Sequence, residues 1–249
     1  MKRQERRHLK ENELAHGIAA AREYLEPRSG QVKALIGVVV ALLVMVLVVL
    51  LVRERSNAKS EQLLADALVA LNARVIPTTD AEAADLPASA QLGATGTFST
   101  EEAKLKAALP KLREAADAYP EKPAGIIARY HLAGALAALG QSGEAAKEFA
   151  SVAARSGDDT FYGRMARLGE AESQTRAGEL DAAIASWKQL AARKDENLPP
   201  DAILFGLARA YAAKGNTEDA KKTFTELVDQ HPQSPYLSEA RTELEQLKG

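Results

Sequence analysis

DAILFGLARAYAAKGNTEDAKKTFTELVDQHP, residues 201–232, decides how this chain folds. Gly215 lies near its middle, with Leu204, Leu207, Ala208 and Tyr211 before it and Ala220, Phe224 and Leu227 after it, each set spaced by three and four as on one face of a helix. A glycine between two such segments takes the left-handed backbone that folds one helix back on the other. Ala208 and Ala220 let the two antiparallel helices approach closely, and Phe224, one turn beyond Ala220, fills the space toward a neighbouring hairpin.

The same grammar recurs upstream. Gly140, Ala145, Phe149 and Val152, then Gly178, Ala183, Trp187 and Leu190, repeat the spacing of Gly215, Ala220, Phe224 and Leu227. Seven residues before each glycine is an alanine (Ala133, Ala171, Ala208), and ten before is a large apolar residue (Tyr130, Leu168, Phe205). The period is 38 and then 37, and a degenerate earlier copy supplies Ala108, Leu112, Ala115 and Pro120. No single hairpin can cover its own apolar side, so stacking is obligatory and a capped, curved superhelix is expected.

On Leu204, Leu207, Ala208, Tyr211, Gly215, Ala220, Phe224, Leu227 and Pro232 the chain resembles tetratricopeptide repeats. The middle copies depart from that pattern, with Arg129 and Arg167 at the first large apolar position and Glu170 and Gln174 at two others. The resemblance implies an all-α right-handed superhelix of antiparallel helix hairpins, and the apolar run Ala34–Val52 adds a single N-terminal transmembrane helix before it. A final helix over residues 235–248, with Leu237, Ala240, Leu244 and Leu247 inward, reads as the end cap.

Working toward the amino end, Ser99-Thr100-Glu101-Glu102 is a helix start, a hydroxyl cap followed by carboxylates that suit the helix dipole. Residues 76–99 show no period and contain Pro, Gly, Ser and Thr, which reads as a flexible loop. Ser56–Arg74 carries Leu63, Leu64, Ala67, Leu68 and Leu71 at helical spacing.

Before it stands ALIGVVVALLVMVLVVLLV, Ala34–Val52, 19 positions without a polar side chain. At about 1.5 Å per residue such a helix covers roughly 28 Å, against a hydrocarbon thickness of about 30 Å. A cleaved signal peptide would have a shorter apolar run, a shorter leader and a small-residue cleavage site, so an uncleaved signal anchor is expected. Lys2, Arg3, Arg6, Arg7, Lys10, Arg22, Arg28 and Lys33 precede the span, against Arg53, Arg55 and Lys59 just after it. The positive-inside tendency then leaves residues 1–33 as a basic cytoplasmic tail, 34–52 as the anchor and 53–249 as an exported repeat domain.

Composition narrows the function further. The first 52 residues hold eight Lys/Arg and five Asp/Glu, leaving 24 against 29 in the remainder, a mildly acidic balance that speaks against nucleic acid as a partner. With no cysteine there is no disulfide, thiol nucleophile or Cys-based metal site. His131 and His231 lie a hundred residues apart, and no metalloprotease, nucleophile-elbow or phosphate-loop motif occurs. No catalytic residue, cofactor, metal or small-molecule substrate is therefore expected, and the chain is not read as an enzyme.

Binding of proteins is the reading that remains. Carried over from the repeat family, the ligand-facing positions are Ile127 and Tyr130, then Met165, Leu168, Glu172 and Arg176, then Phe205 and Arg209. Tyr130, Leu168 and Phe205 fit either a groove for an extended or amphipathic segment or packing inside the array. The whole layout also resembles the ancillary subunit family of the bacterial general secretory (SecYEG) translocon. That resemblance implies a single-pass inner-membrane adaptor, amino end in the cytoplasm and repeats in the periplasm, with translocon subunits, periplasmic chaperones or client polypeptides as partners. A scaffold in envelope or cell-division assembly is the alternative.

Overall fold

A computed structural model describes residues 29–76, 97–193 and 197–247. The tail reading, apart from the start of the first helix, and nearly all of the 76–99 loop lie outside the described residues. Those residues form nine helices and one two-stranded ladder: α1 Ser29–Leu71, β1 Arg74–Val75, β2 Thr97–Phe98, α2 Glu101–Ala118, α3 Pro123–Ala138, α4 Ser142–Ser156, α5 Phe161–Arg176, α6 Leu180–Ala192, α7 Pro200–Lys214, α8 Thr217–Gln230 and α9 Leu237–Gln246. The chain divides into two compact units, Met1–Ser56 and Asn57–Gly249, with the boundary inside α1.

In the first unit no described residue buries the span portion of α1. Its large apolar side chains from Leu35 to Val52 are exposed by between 48% (Val39) and 65% (Leu35), and it is long and apolar enough to cross a membrane.

In the second unit, the remainder of α1 opens the repeat core. Ala67 is fully buried, and Leu63, Leu64 and Leu71 join a cluster that contains Leu105, Ala108, Leu112 and Ala115. The helix ends three residues before the expected Arg74, where the Asn72 side-chain amide donates to the Leu68 carbonyl at 2.9 Å. Arg74–Val75 then pairs in parallel with Thr97–Phe98, and the Ile76 amide donates to Phe98. At the start of α2, Thr100 caps the helix by accepting from the Ala103 amide at 3.1 Å, as its sequence indicates.

Three hairpins follow, α3–α4, α5–α6 and α7–α8. Gly140, Gly178 and Gly215 sit between their helices at φ of +76°, +76° and +82°, a backbone region that disfavours other residues. Each turn makes the same two bonds. The glycine amide donates to the carbonyl three residues back, and the next amide (Gln141, Glu179, Asn216) to the carbonyl five residues back, which satisfies the helix-end acceptors.

Neighbouring hairpins interlock through the repeat aromatics. A Cβ built on Gly169 of α5 would fall 2.7 Å from the Phe149 ring of α4, and one on Gly206 of α7 would fall 2.4 Å from the Trp187 indole of α6. Each ring therefore lies flush on the backbone of the following hairpin. A second recurring contact ties the entry of each hairpin to its exit: Glu121 with Arg155, Asp158 with Arg193 at 2.7 Å, and Asp201 with Ser234 at 2.8 Å. The array closes on α9, whose Ala240 is fully buried beside Phe224 and Leu227 while Leu244 and Leu247 pack against the same core.

Candidate protein-binding face

The expected ligand-facing residues lie on α3, α5 and α7, the first helices of the three hairpins, and the structure separates them by how far each is already engaged. Tyr130 is half-buried, edge-on to Phe149 of its own hairpin at 5.7 Å and to Tyr162 of the next at 5.3 Å. Burial, with a smaller contribution from Tyr162, pushes its phenol above the ordinary tyrosine range. His131 follows it with ring centres 5.6 Å apart, and burial holds that imidazole below its usual pKa, so a structural placement accounts for it.

Phe205 is closed off. Only 6% of it is exposed, because Tyr236 stacks on one side at 4.7 Å, Phe224 meets it at 6.0 Å and the Arg209 guanidinium lies 5.6 Å from its ring centre. Arg209 acts there as a cation over an aromatic face. Ile127, Met165 and Leu168 remain partly exposed, the last two against the core that contains Trp187. Glu172 and Arg176 pair with each other at 2.9 Å one turn apart. The open apolar surface is therefore concentrated on α3 and α5.

Two features add to the expected set. Phe161, 61% exposed at the start of α5, meets Tyr162 edge-on at 5.4 Å and extends the Tyr130 cluster toward solvent. The signal was present in the Phe-Tyr pair directly after the Thr160 cap, but that position falls outside the repeat pattern.

The second feature is polar. At the departure positions, Arg129 bonds Glu148 of α4 and Asp117 of α2, both at 2.6 Å. Burial works against its charge, but these two carboxylates outweigh it and hold the guanidinium above its ordinary pKa. In the next hairpin Arg167 bonds Glu170 at 3.0 Å and Asp158 at 3.1 Å, and Asp158 is shared with Arg193. Desolvation opposes the Asp158 charge, yet hydrogen bonds and charge from Arg167 and Arg193 prevail and keep its carboxyl below the usual range. Asp158, just ahead of α5, thus serves an ion cluster. Gln174 continues the line, donating to Glu170 at 3.4 Å and accepting from the Ser186 hydroxyl at 2.8 Å. Arg167, Glu170, Gln174 and Ser186 form a hydrogen-bonded seam between α5 and α6. Among the described residues, no group of three or more His, Asp or Glu is placed to hold a metal ion.

The tetratricopeptide-repeat family model matches residues 174–244. That stretch runs from the last turn of α5 to α9 and leaves out the hairpin that carries Arg129. Among solved structures, two of nearly identical TPR-like repeats from a candidate kinesin light chain of Podosopora anserina share 20% identity with this chain at a TM-score of 0.50. Each alignment covers 58% of this chain and 77% of the other. A tetratricopeptide repeat protein from Parabacteroides merdae shares 17% identity over 60% of this chain and 69% of its own, at a TM-score of 0.36. No curated protein sequence matches the chain. The helical region has a tetratricopeptide-repeat-like fold.

Proposed function

We propose that this protein is a non-enzymatic adaptor, held in the bacterial inner membrane by Ala34–Val52, whose repeats bind proteins or peptides on the periplasmic side beside the secretory translocon. The observation that carries the reading is the coexistence in one chain of a bare apolar helix and a repeat array of a fold used for protein contacts. Every large apolar side chain of the span is exposed, which a lipid environment relieves and water does not. An anchor would raise the effective concentration of the repeats near a channel exit, so weak contacts to chaperones or emerging clients would suffice. Ile127, Tyr130, Phe161, Met165 and Leu168 supply the apolar surface for those contacts.

A photo-crosslinker placed at Val44 in the full chain tests this. Adducts with translocon subunits are expected, together with protease access to the repeats only from the periplasmic side. Adducts with lipid alone, or repeats cleaved only from the cytoplasmic side, would overturn the translocon reading.

A further inference from the structure

The seam between α5 and α6 opens into a cavity of about 440 Å³, lined by Arg167, Arg193, Ser186, Gln189 and Leu190 among others. Its origin is visible by comparison with the preceding hairpin. There Arg129 receives the carboxylate of Glu148 from across the hairpin. Thirty-eight residues on, Arg167 has Ser186 at the Glu148 position, and the Ser186 hydroxyl is turned toward Gln174. Glu170 of α5, where the first hairpin has Leu132, takes Nη1 of Arg167 instead, so no acid reaches across from α6 and the space on that side is open.

The donors are still present. Arg167 uses Nε on the Asp158 carboxylate and Nη1 on Glu170. Arg193 uses Nη1 on the Asp158 carboxylate and Nη2 on the Asp158 backbone carbonyl, with the exposed Asp159 carboxylate 3.8 Å from Nη2. That leaves Nη2 of Arg167 and Nε of Arg193 without a hydrogen-bond partner among the described residues. The side chains of both arginines are partly exposed, at 34% and 29%. The two acids of the lining are occupied, Glu170 by Arg167 and Gln174, Asp158 by both guanidiniums. The α6 wall offers a hydroxyl, an amide and the apolar Leu190, but no acid. Arginines presented this way favour a carboxylate, and the volume admits a side chain with its adjoining backbone but not a folded element.

We infer that this cavity receives an aspartate or glutamate side chain of a bound polypeptide, its carboxylate accepting from Nη2 of Arg167 and Nε of Arg193, the atoms that Glu170 and Asp158 leave free. The inference rests on reading the array as a protein-binding module. It adds a polar anchor point to the apolar surface of α3 and α5, so a partner would be selected by an acidic residue as well as by apolar ones.

The test uses the full chain in detergent micelles with ¹⁵N-labelled arginine. The probes are the capped peptide Ala-Ala-Glu-Ala-Ala, its Gln counterpart and free glutarate. The Glu peptide is expected to shift the Nε–H signals of Arg167 and Arg193 saturably, with the Gln peptide at least about ten-fold weaker, as loss of a charge-assisted bond implies. Ser186→Glu, which supplies the missing acid from within, is expected to abolish the response, and Gln189→Glu to weaken it. Fluorescence of Trp187, the one tryptophan, checks that both variants stay folded. Equal response to the Glu and Gln peptides, or a full response in folded Ser186→Glu, would overturn the inference. Glutarate binding as tightly as the peptide would overturn its polypeptide source. None of these readouts needs the anchor or a channel, so they can fail while the crosslinking at Val44 succeeds, and the reverse.

Discussion

The second and third hairpins share a turn, an alanine contact and an interlocking aromatic, yet the joints between their helices are made of different material. In α7 the corresponding stripe is Leu204, Leu207 and Tyr211, the last two buried in the core that contains Trp187 of α6 and Ala220 of α8. The same stripe in α5 is Arg167, Glu170 and Gln174, bonded to one another and to Ser186. The repeat fold thus needs its turn glycine and its close alanines, whereas this stripe can be apolar, or polar when its side chains bond one another. The polar version borders a cavity of about 440 Å³, and the apolar one, at Leu204, a smaller one of about 210 Å³.

Three measurements would break or sharpen this contrast. The largest effect is expected at Phe224, which is fully buried in the third hairpin. Phe224→Ala should lower stability by about 3–5 kcal/mol, whereas Gln174→Ala in the second should lower it by only about 1 kcal/mol. Denaturant unfolding of both variants checks the ratio, and equal losses would dissolve the distinction. An intermediate effect is expected from making the second joint like the third. Arg167→Leu combined with Glu170→Leu removes both members of a pair together, so it should be neutral or stabilising by about 1–3 kcal/mol, read as a rise in Tm. A large fall in Tm would mean that the seam stabilises more than the apolar packing it replaces. The smallest effect is the pH response of Asp158. Its folded pKa is depressed, so its contribution is fully present above the unfolded value of about 4 and is lost as pH falls through the lower folded value. Because the pair is well exposed, Asp158→Asn should cost only a few tenths of a kcal/mol at pH 7 and nothing once both forms are protonated. The difference between the two stability–pH curves measures it.

Much of the fold was readable from spacing. Gly140, Gly178 and Gly215 adopt the left-handed turn their positions demand, Thr100 caps α2, and Phe149 and Trp187 reach the adjoining hairpins. These are local or periodic rules, so a pattern along the chain carries them. The candidate site was less legible for a physical reason. A large apolar residue at a helical position looks the same whether it faces a groove or a neighbour, and Phe205 is covered by Tyr236, which comes from beyond the repeat. The substitutions Arg167, Glu170 and Gln174 stood out as exceptions, but their partners Asp158, Arg193 and Ser186 lie at repeat positions outside the glycine, alanine and aromatic pattern, where polar residues look like ordinary surface. The Arg74–Val75 ladder with Thr97–Phe98 is too short to show alternation at all.

The rings seated on Gly169 and Gly206 carry a further consequence for how such a chain could be rearranged. At the matching position of α3 stands His131, and the residue at the ring position one hairpin earlier is Leu112, not an aromatic. An imidazole cannot accept an indole or phenyl laid flush on the main chain. The three modules are consequently not interchangeable beads. Shuffling them by recombination, or grafting α3–α4 behind Trp187, would bring two bulky side chains into one slot, and the order in which they now stand is written into a histidine and two glycines.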